Sequence, residues 1–341
     1  MVEAICPRAG LLRLVAVVVT HDRRAQLQAT LARLLANPET VLAAVVVVDN
    51  ASADGTAEFL AVIRDARLDV LRMPANTGGA GGFAAGMRRA CEAHAPDWVV
   101  LMDDDARPVP GALAAFHATA KPEAGLAAAV RFPAGAICEM NRPSLNPFWH
   151  WRVFLRTALG GGRNGYHIPP GAYEASERVP VDLTSFVGLF LPVSAVREVG
   201  YPDASLFLYG DDVIYALRLR RAGIPILFDP AIRFEHDCGT YADDRTRVLT
   251  SLWKVYYIYR NVLIMYREAA GPLFWPLLLI LLPKWVWKAR AYGARRPIFL
   301  RLMLRGVGDA LWRRQGLPHG AVLALAATRT QAAPPGAVGA P

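Results

Sequence analysis

A chain of 341 residues has room for one large or two modest domains, and its 38 Lys and Arg against 29 Asp and Glu give a formal charge of +9. Nine of the basic residues lie between Lys284 and Arg314 with a single acid, Asp309, so the remainder is close to neutral, which excludes a nucleic-acid-binding body and leaves a basic segment with its own task. Hydrophobic residues make up 54% of the chain, which points to membrane contact, and four scattered cysteines (Cys6, Cys91, Cys138, Cys238) without a Cys-x-x-Cys pair exclude a zinc ribbon or disulfide framework.

Residues 1–13 carry charges of both signs, and the apolar run after them, 14–19, is too short for a signal-peptide core or a membrane span, so this start is expected to be an N-terminal extension. Residues 14–19 are instead a β-branched strand, followed by Thr20-His21-Asp22-Arg23 and a helix over 26–35. A second strand, 41–48, ends in Asp49-Asn50-Ala51-Ser52, and Asp54-Gly55-Thr56 opens a helix over 57–64. A third strand, 69–73, leads through Asn76 into the cluster Gly78-Gly79-Ala80-Gly81-Gly82 and a helix over 83–93. The fourth strand, 99–102, ends in three carboxylates, Asp103, Asp104 and Asp105. Strand–helix alternation at this spacing predicts a doubly wound α/β sheet with its ligands at the carboxyl ends of the strands, where each of these polar clusters falls. Three like charges at one strand end repel unless a cation or a pKa shift relieves them. In extended chain Asp103 and Asp105 face the same way, and two converging oxygen ligands suit Mg²⁺ or Mn²⁺. Gly79-Ala80-Gly81-Gly82-Phe83-Ala84 formally matches a dinucleotide fingerprint, but Pro74 to Gly78 separate it from its strand and it belongs to the third βα unit, not the first.

Taken as a set, Thr20-His21-Asp22-Arg23, Asp49 to Thr56, Asn76-Thr77-Gly78-Gly79 and Asp103-Asp104-Asp105 resemble the successive motifs of the GT-A inverting glycosyltransferases of family 2. The resemblance implies a sugar-nucleotide donor and a divalent cation. Thr20, Arg23, Asp49, Asn76, Gly78, Gly79 and Asp104 would then bind the donor, with Asp49 accepting from a uracil or thymine ring N3–H, while Asp103 and Asp105 hold the metal. Asp22 departs from the family's usual Asn at that position, which weakens it as a nucleotide contact.

Residues 106–180 read as irregular and rich in Pro, Gly and Trp, with loops at 141–151 and 160–171 assigned to the acceptor side. A strand region over 181–191 and a short helix over 194–199 precede Phe207-Leu208-Tyr209-Gly210-Asp211-Asp212 and a helix over 213–222. This resembles the family's second signature, whose second acid is the catalytic base, here Asp212; an inverting transfer needs one carboxylate to take the acceptor hydroxyl's proton. Asp211 joins it as a catalytic candidate, although a helix start favours Asp for capping alone. His236, in Phe234-Glu235-His236-Asp237, corresponds to a further metal or diphosphate contact in related GT-A enzymes.

Tyr256-Tyr257-Ile258-Tyr259-Arg260-Asn261 resembles a stretch of the rhamnosyl- and galactofuranosyltransferase branches. Residues 272–283 are apolar but shorter than a span, and Trp285 and Trp287 beside Lys284 and Lys288 suit a headgroup boundary, so attachment to an anionic membrane surface is expected. The domain layout expected is 1–13 extension, 14–261 GT-A domain (14–107 nucleotide-binding half, 108–261 acceptor half), 262–330 membrane-associating helices and a disordered 331–341 tail. Residues 76–83 resemble the Gly-Gly-x-Gly-Gly-Phe loop of galactofuranosyltransferases, which implies UDP-galactofuranose as donor ahead of dTDP-rhamnose, with a polyprenyl-linked or growing glycan as acceptor and a cytoplasmic, peripheral location at the inner membrane face. A nucleotidyltransferase would carry a glycine-rich basic loop after its first strand, absent here, and an inactive assembly scaffold would have lost an acid, whereas Asp103, Asp105 and Asp212 are all present.

Overall fold

A computed structural model describes residues 12–121, 123–238, 248–314 and 316–327. The first eleven residues of the extension and the 331–341 tail expected to be disordered lie outside the described residues. The chain divides into two compact units, Met1–Asp244 with Met265–Gly271, and Arg245–Ile264 with Pro272–Pro341.

In the first unit the elements run β1 (Leu14–Thr20), α1 (Arg24–Leu35), β2 (Ala44–Asp49), α2 (Thr56–Val62), β3 (Leu68–Arg72), α3 (Gly78–His94), β4 (Trp98–Asp103), β5 (Ala106–Pro108), α4 (Ala112–Thr119) and β6 (Gly125–Arg131). They continue as α5 (Trp151–Arg156), α6 (Gly162–Tyr166), β7 (Val179–Val181), β8 (Leu189–Pro192), α7 (Val193–Val199), α8 (Asp211–Arg221) and β9 (Ile226–His236). The strands form one sheet in the order β3-β2-β1-β4-β8-β6-β9-β5, with β7 also on β9. The first four are mutually parallel, and β8 reverses direction against β4. The sheet is therefore mixed, a parallel half joined to an antiparallel-containing half. Alternate residues of β1 enter opposite cores: Val15, Val17 and Val19 pack with Phe83 and Met87 of α3, while Leu14, Ala16 and Val18 pack with Leu27 and Leu31 of α1 and Phe116 of α4. Burial on both faces is why these strands read as unbroken apolar runs.

Two expectations change. The irregular middle contains β5, α4, β6 and β7, and β6 is alanine-rich (Gly-Leu-Ala-Ala-Ala-Val-Arg), a composition without strand propensity that is overridden by its central place between β8 and β9. Helix α3 begins at Gly78, not at Phe83, so the glycine cluster is its first turn. A Cβ on Gly82 would lie 2.5 Å from the Val19 side chain, and one on Gly86 2.5 Å from Val17. These glycines seat the helix on β1, and that gain in packing offsets their poor helix propensity.

Helix α9 (Trp253–Ala270) starts in the second unit and ends in the first; α10 (Phe274–Lys288), α11 (Arg296–Leu311) and α12 (His319–Ala326) complete the second. The helical run Trp253–Leu311 is long and apolar enough to cross a membrane by length and composition, but only 28% of its most apolar window is buried. The run is broken at Gly271 (φ 54°) and Gly293 (φ 52°). Helix α10, at 15 residues, is about 22 Å long, short of the ~30 Å hydrocarbon core. Trp275, Leu279, Ile280 and Trp287 on α10 are exposed. The Tyr256 to Asn261 stretch is core in this unit: Tyr256 Oη donates to buried Asp309 at 2.8 Å, the Arg260 guanidinium lies over the Tyr256 and Tyr257 rings, and Gly306 of α11 crosses the Tyr256 carbonyl so closely that a Cβ would come within 2.6 Å.

Candidate active site

Register sets the site. Thr20 is paired with Asp49 across β1 and β2, and Val19 with Asp103 across β1 and β4, so three strand ends finish abreast with polar residues. Asp104, almost fully buried, is a brace: its carboxylate accepts from Thr20 Oγ1 at 2.7 Å, its carbonyl accepts from Thr30 Oγ1 at 2.7 Å, and it lies 3.6 Å from Arg23 Nη1. Arg23 donates to Asp105. Thr20, Arg23 and Asp104 thus shape the turn that carries Asp103 and Asp105. Asp22, with φ 54°, accepts from Ala53 N at 2.6 Å and ties the first loop to the second.

His236 reaches this turn because β5 pairs with β9, setting Ala106 opposite it. Its Nε2 is 3.0 Å from Asp105 Oδ1, and its Nδ1 is 2.7 Å from Asn141 Oδ1. Ligand atoms of Asp103, Asp105 and His236 all lie within 4.8 Å of one another. Burial and the neighbouring Asp105 charge push Asp103 up to about 6, and burial raises Asp104 to about 7 against its Thr20 hydrogen bond. Burial works against ionised Asp105 as well, but His236 and Arg23 hold it below the usual carboxylate range. Burial likewise opposes protonated His236, and Asp105 outweighs it and raises the imidazole. Two carboxylates forced together beside an imidazole form a donor set that fits Mn²⁺ or Mg²⁺, and a cation would relieve the repulsion that lifts Asp103.

Asp211 and Asp212 open α8 behind Gly210, whose φ is 77°. Burial, then the Asp212 charge, raises Asp211 well above the usual range; burial and the field of Asp103 raise Asp212 to about 6, although Val213 N donates to its Oδ1 at 2.7 Å. Both acids respond to Asp103, so the catalytic candidates share a field with the metal candidates.

The glycine turn is built by Asn50, a residue that sequence reasoning quoted within a motif but gave no role. Its Nδ2 donates to Gly78 O at 2.9 Å and Asn76 Oδ1 at 3.2 Å, and its Oδ1 accepts from Thr77 N at 3.0 Å. Asn76 Oδ1 also accepts from Gly78 N at 2.8 Å, so the Asn76 side chain is committed to the turn. At Gly78 (φ 72°) a Cβ would fall 1.9 Å from Phe207 O, while one on Gly79 would meet nothing within 4 Å. Gly78 is therefore needed by the chain's own packing, and Gly79 is the open position. Asn141 had no sequence signal: it sits in a Pro-rich loop and comes to the site through its contact with His236.

Asp49 lies one strand further out. Its Oδ1 accepts from Ser52 N at 2.8 Å. Its buried Oδ2 has no hydrogen-bond partner among the described residues, with Arg72 Nε 3.7 Å away. An open cavity of about 410 Å³ is lined by its two neighbours Ser52 and Arg72 with Ala51, Met73 and Pro74. With strands ~4.8 Å apart, Asp49 and Asp103 are roughly 10 Å from each other across β1.

Comparison with known proteins agrees with this architecture. The family described as "Glycosyltransferase like family 2" matches residues 13–255. Galactofuranosyltransferase GlfT1 of Mycolicibacterium smegmatis is 30% identical over 261 residues, covering 72% of this chain and 80% of that protein. GlfT1 of Mycobacterium tuberculosis is 30% identical over 225 residues, covering 66% and 70%. Among solved structures, GalNAc-T7 with UDP, GalNAc and Mn²⁺ superposes with a TM-score of 0.52 at 13% identity, covering 77% of this chain and 52% of that one. The mannosyltransferase PcManGT of Pyrobaculum calidifontis, in complex with GDP-Man and Mn²⁺, gives 0.50 at 18% identity, covering 93% and 79%. The chain belongs to glycosyltransferase family 2 and has the GT-A fold.

Proposed function

We propose that this enzyme is an inverting, metal-dependent galactofuranosyltransferase that moves galactofuranose from UDP-galactofuranose to a polyprenyl-linked or growing glycan. The observation that carries the proposal is the convergence of Asp103, Asp105 and His236 with Asp211 and Asp212 at one sheet edge, flanked by an Asp49 oxygen that has no hydrogen-bond partner among the described residues. Identity to the GlfT1 galactofuranosyltransferases supports the donor sugar. In this mechanism Asp49 Oδ2 accepts from the uracil N3–H in the cavity beside Arg72, and the turn held by Asn50 lines the path towards the diphosphate. Asp103, Asp105 and His236 would hold Mn²⁺ or Mg²⁺, which would supply positive charge to neutralise the leaving diphosphate. GalNAc-T7 and PcManGT were each solved with Mn²⁺, which supports that choice of ion. Asp212 takes the proton of the acceptor hydroxyl as it attacks the anomeric carbon from the face opposite the leaving group. Burial lifts Asp212 above the ordinary carboxylate range, which makes it a stronger base than a free carboxylate. Asp104, Thr20 and Arg23 position the metal-binding turn, and the exposed Trp149, Trp151 and Phe154 supply an apolar surface for the acceptor.

The second unit attaches the enzyme to the inner face of the membrane. Exposed Trp275, Leu279, Ile280 and Trp287 enter the interface, and the lysines and arginines of 284–314 meet anionic headgroups. The test of the donor is competition: UDP-galactofuranose and dTDP-rhamnose titrated against the Mn²⁺-loaded protein, followed by product analysis with a lipid-linked acceptor. Tighter binding and turnover of dTDP-rhamnose would make the enzyme a rhamnosyltransferase of the same mechanism.

A further inference from the structure

His236 has a second set of neighbours that the transfer reaction does not use. Cys138, fully buried, has its Sγ 3.8 Å from His236 Nδ1. Cys238, half-buried and two residues beyond the histidine, completes a group of three ligand atoms that all lie within 4.8 Å of one another. On a tetrahedral zinc ion, with Zn–S about 2.3 Å and Zn–N about 2.0 Å, a sulfur and a nitrogen stand roughly 3.6 Å apart. The Cys138–His236 separation is close to that edge. Two separate segments build the group: Cys138 returns after β6, its N donating to Val130 O at 3.2 Å, while Cys238 follows β9, where Asp237 N donates to Asp105 O at 2.8 Å. Asn141 closes the arrangement. Its Nδ2 donates to Ser185 Oγ at 2.9 Å, so its Oδ1 is turned towards Cys138 Sγ at 3.0 Å and His236 Nδ1 at 2.7 Å.

We propose that Cys138, Cys238 and Nδ1 of His236 form a binding site for a thiophilic divalent cation, Zn²⁺ or Cd²⁺, and that filling it withdraws His236 from the Asp103–Asp105 site. A neutral imidazole offers one lone pair. To present Nε2 beside Asp105, His236 carries its proton on Nδ1 and donates to Asn141 Oδ1. To present Nδ1 to the thiolates, the proton moves to Nε2, where Asp105 Oδ1 accepts it at 3.0 Å, and Asn141 Oδ1, now facing a lone pair at 2.7 Å, gives way to the cation. Each tautomer serves one site, so filling the thiol site deprives Mn²⁺ or Mg²⁺ of its imidazole ligand and weakens its binding. Binding releases the two thiol protons to solvent, and water takes the fourth position. The thiol site stands on its own geometry; the antagonism rests on the proposed metal role of Asp103, Asp105 and His236.

The experiment uses the full chain carrying Cys6→Ser and Cys91→Ser, so that only Cys138 and Cys238 remain as thiols. Metal-free protein is titrated with Cd²⁺, following the ultraviolet thiolate-to-cadmium charge-transfer band. The expected result is one Cd²⁺ per chain, with the band at least halved by Cys138→Ser or by Cys238→Ser and absent when both are replaced. No band in the parent protein, or a band that survives the double replacement, overturns the site. Because the parent titration reads the site directly, a misfolded Cys138→Ser protein does not decide the matter; half-buried Cys238→Ser provides the second variant. Mn²⁺ binding is then followed by electron paramagnetic resonance. One equivalent of Cd²⁺ should weaken it about tenfold or more in the parent and leave it unchanged in the double variant. Unchanged Mn²⁺ affinity with the cadmium band present overturns the antagonism. Absence of Mn²⁺ binding before any Cd²⁺ is added overturns the proposed metal role and leaves the thiol site standing.

Discussion

Replacing Gly78 by alanine should damage the enzyme, and replacing Gly79 should not destabilise it. Gly78 sits at φ 72°, where an L-residue costs about 1–2 kcal/mol. Its added Cβ would fall 1.9 Å from Phe207 O and 2.5 Å from Phe207 C, where real Cβ contacts stay beyond 3.0 Å, so turn and backbone must part by about 1 Å. That movement breaks the bond by which Phe207 O accepts from Ala80 N at 3.2 Å, costing about 1 kcal/mol more. The total of about 2–3 kcal/mol corresponds to a fall of roughly 4–12 °C in the unfolding midpoint of a domain this size. Phe207 is itself at φ 63° and Tyr209 at φ 70°, and this segment leads into Asp211 and Asp212. The displaced Phe207 backbone therefore lowers kcat as well. At Gly79 a Cβ meets nothing within 4 Å, and in the first turn of α3 alanine is the better helix former, so that variant should melt at or slightly above the parent temperature. Both are read by scanning calorimetry and by initial-rate kinetics with saturating donor. If Gly78→Ala melts and turns over like the parent, or if Gly79→Ala is equally destabilised, the packing account of this turn is wrong.

Asp212→Asn should abolish transfer while donor affinity stays within a few-fold, because the base acts on the acceptor; equal losses of donor binding and turnover would move that role to Asp211. Asp105→Ala should remove Mn²⁺-dependent nucleotide binding, and calorimetry showing full, EDTA-insensitive affinity in that variant would sink the metal assignment. Metal-free protein should lose stability as pH rises from about 4 through about 7. Burial lifts Asp103 and Asp212 to about 6 and Asp104 to about 7, so the fold binds more protons than the unfolded chain in that window; an unfolding midpoint that climbs with pH in EDTA would contradict it. Replacing exposed Trp275, Leu279 and Trp287 together by serine should release the protein from anionic vesicles without lowering its melting temperature. Unchanged co-sedimentation would end the interfacial account of α10.

Much of the site was legible in the chain because its chemistry lies at strand ends. Buried parallel strands announce themselves as β-branched runs, and whatever polar cluster follows each run must fall on the same sheet edge; Thr20, Asp49 and Asp103 were placed together on that ground alone. The acidic pair at Asp211 and Asp212 was legible for a similar reason, since it opens a helix whose pattern is plain. What the chain could not reveal are relations between distant segments. The alanine-rich β6 has no strand signature of its own and is a strand only because β8 and β9 flank it. His236 was singled out in the sequence only by its resemblance to a family contact; the β5–β9 pairing is what brings its Nε2 to Asp105 and its Nδ1 to Asn141, 95 residues earlier in the chain. Gly78 and Gly79 were both expected at the donor, yet Gly78 meets Phe207 and only Gly79 is open, because whether a missing Cβ makes room for a ligand or for the protein's own backbone depends on what the fold brings opposite. Local pattern determines which segments are strands and helices and which end of each is polar; pairing and close approach, which involve residues far apart in sequence, are decided only when the tertiary structure forms.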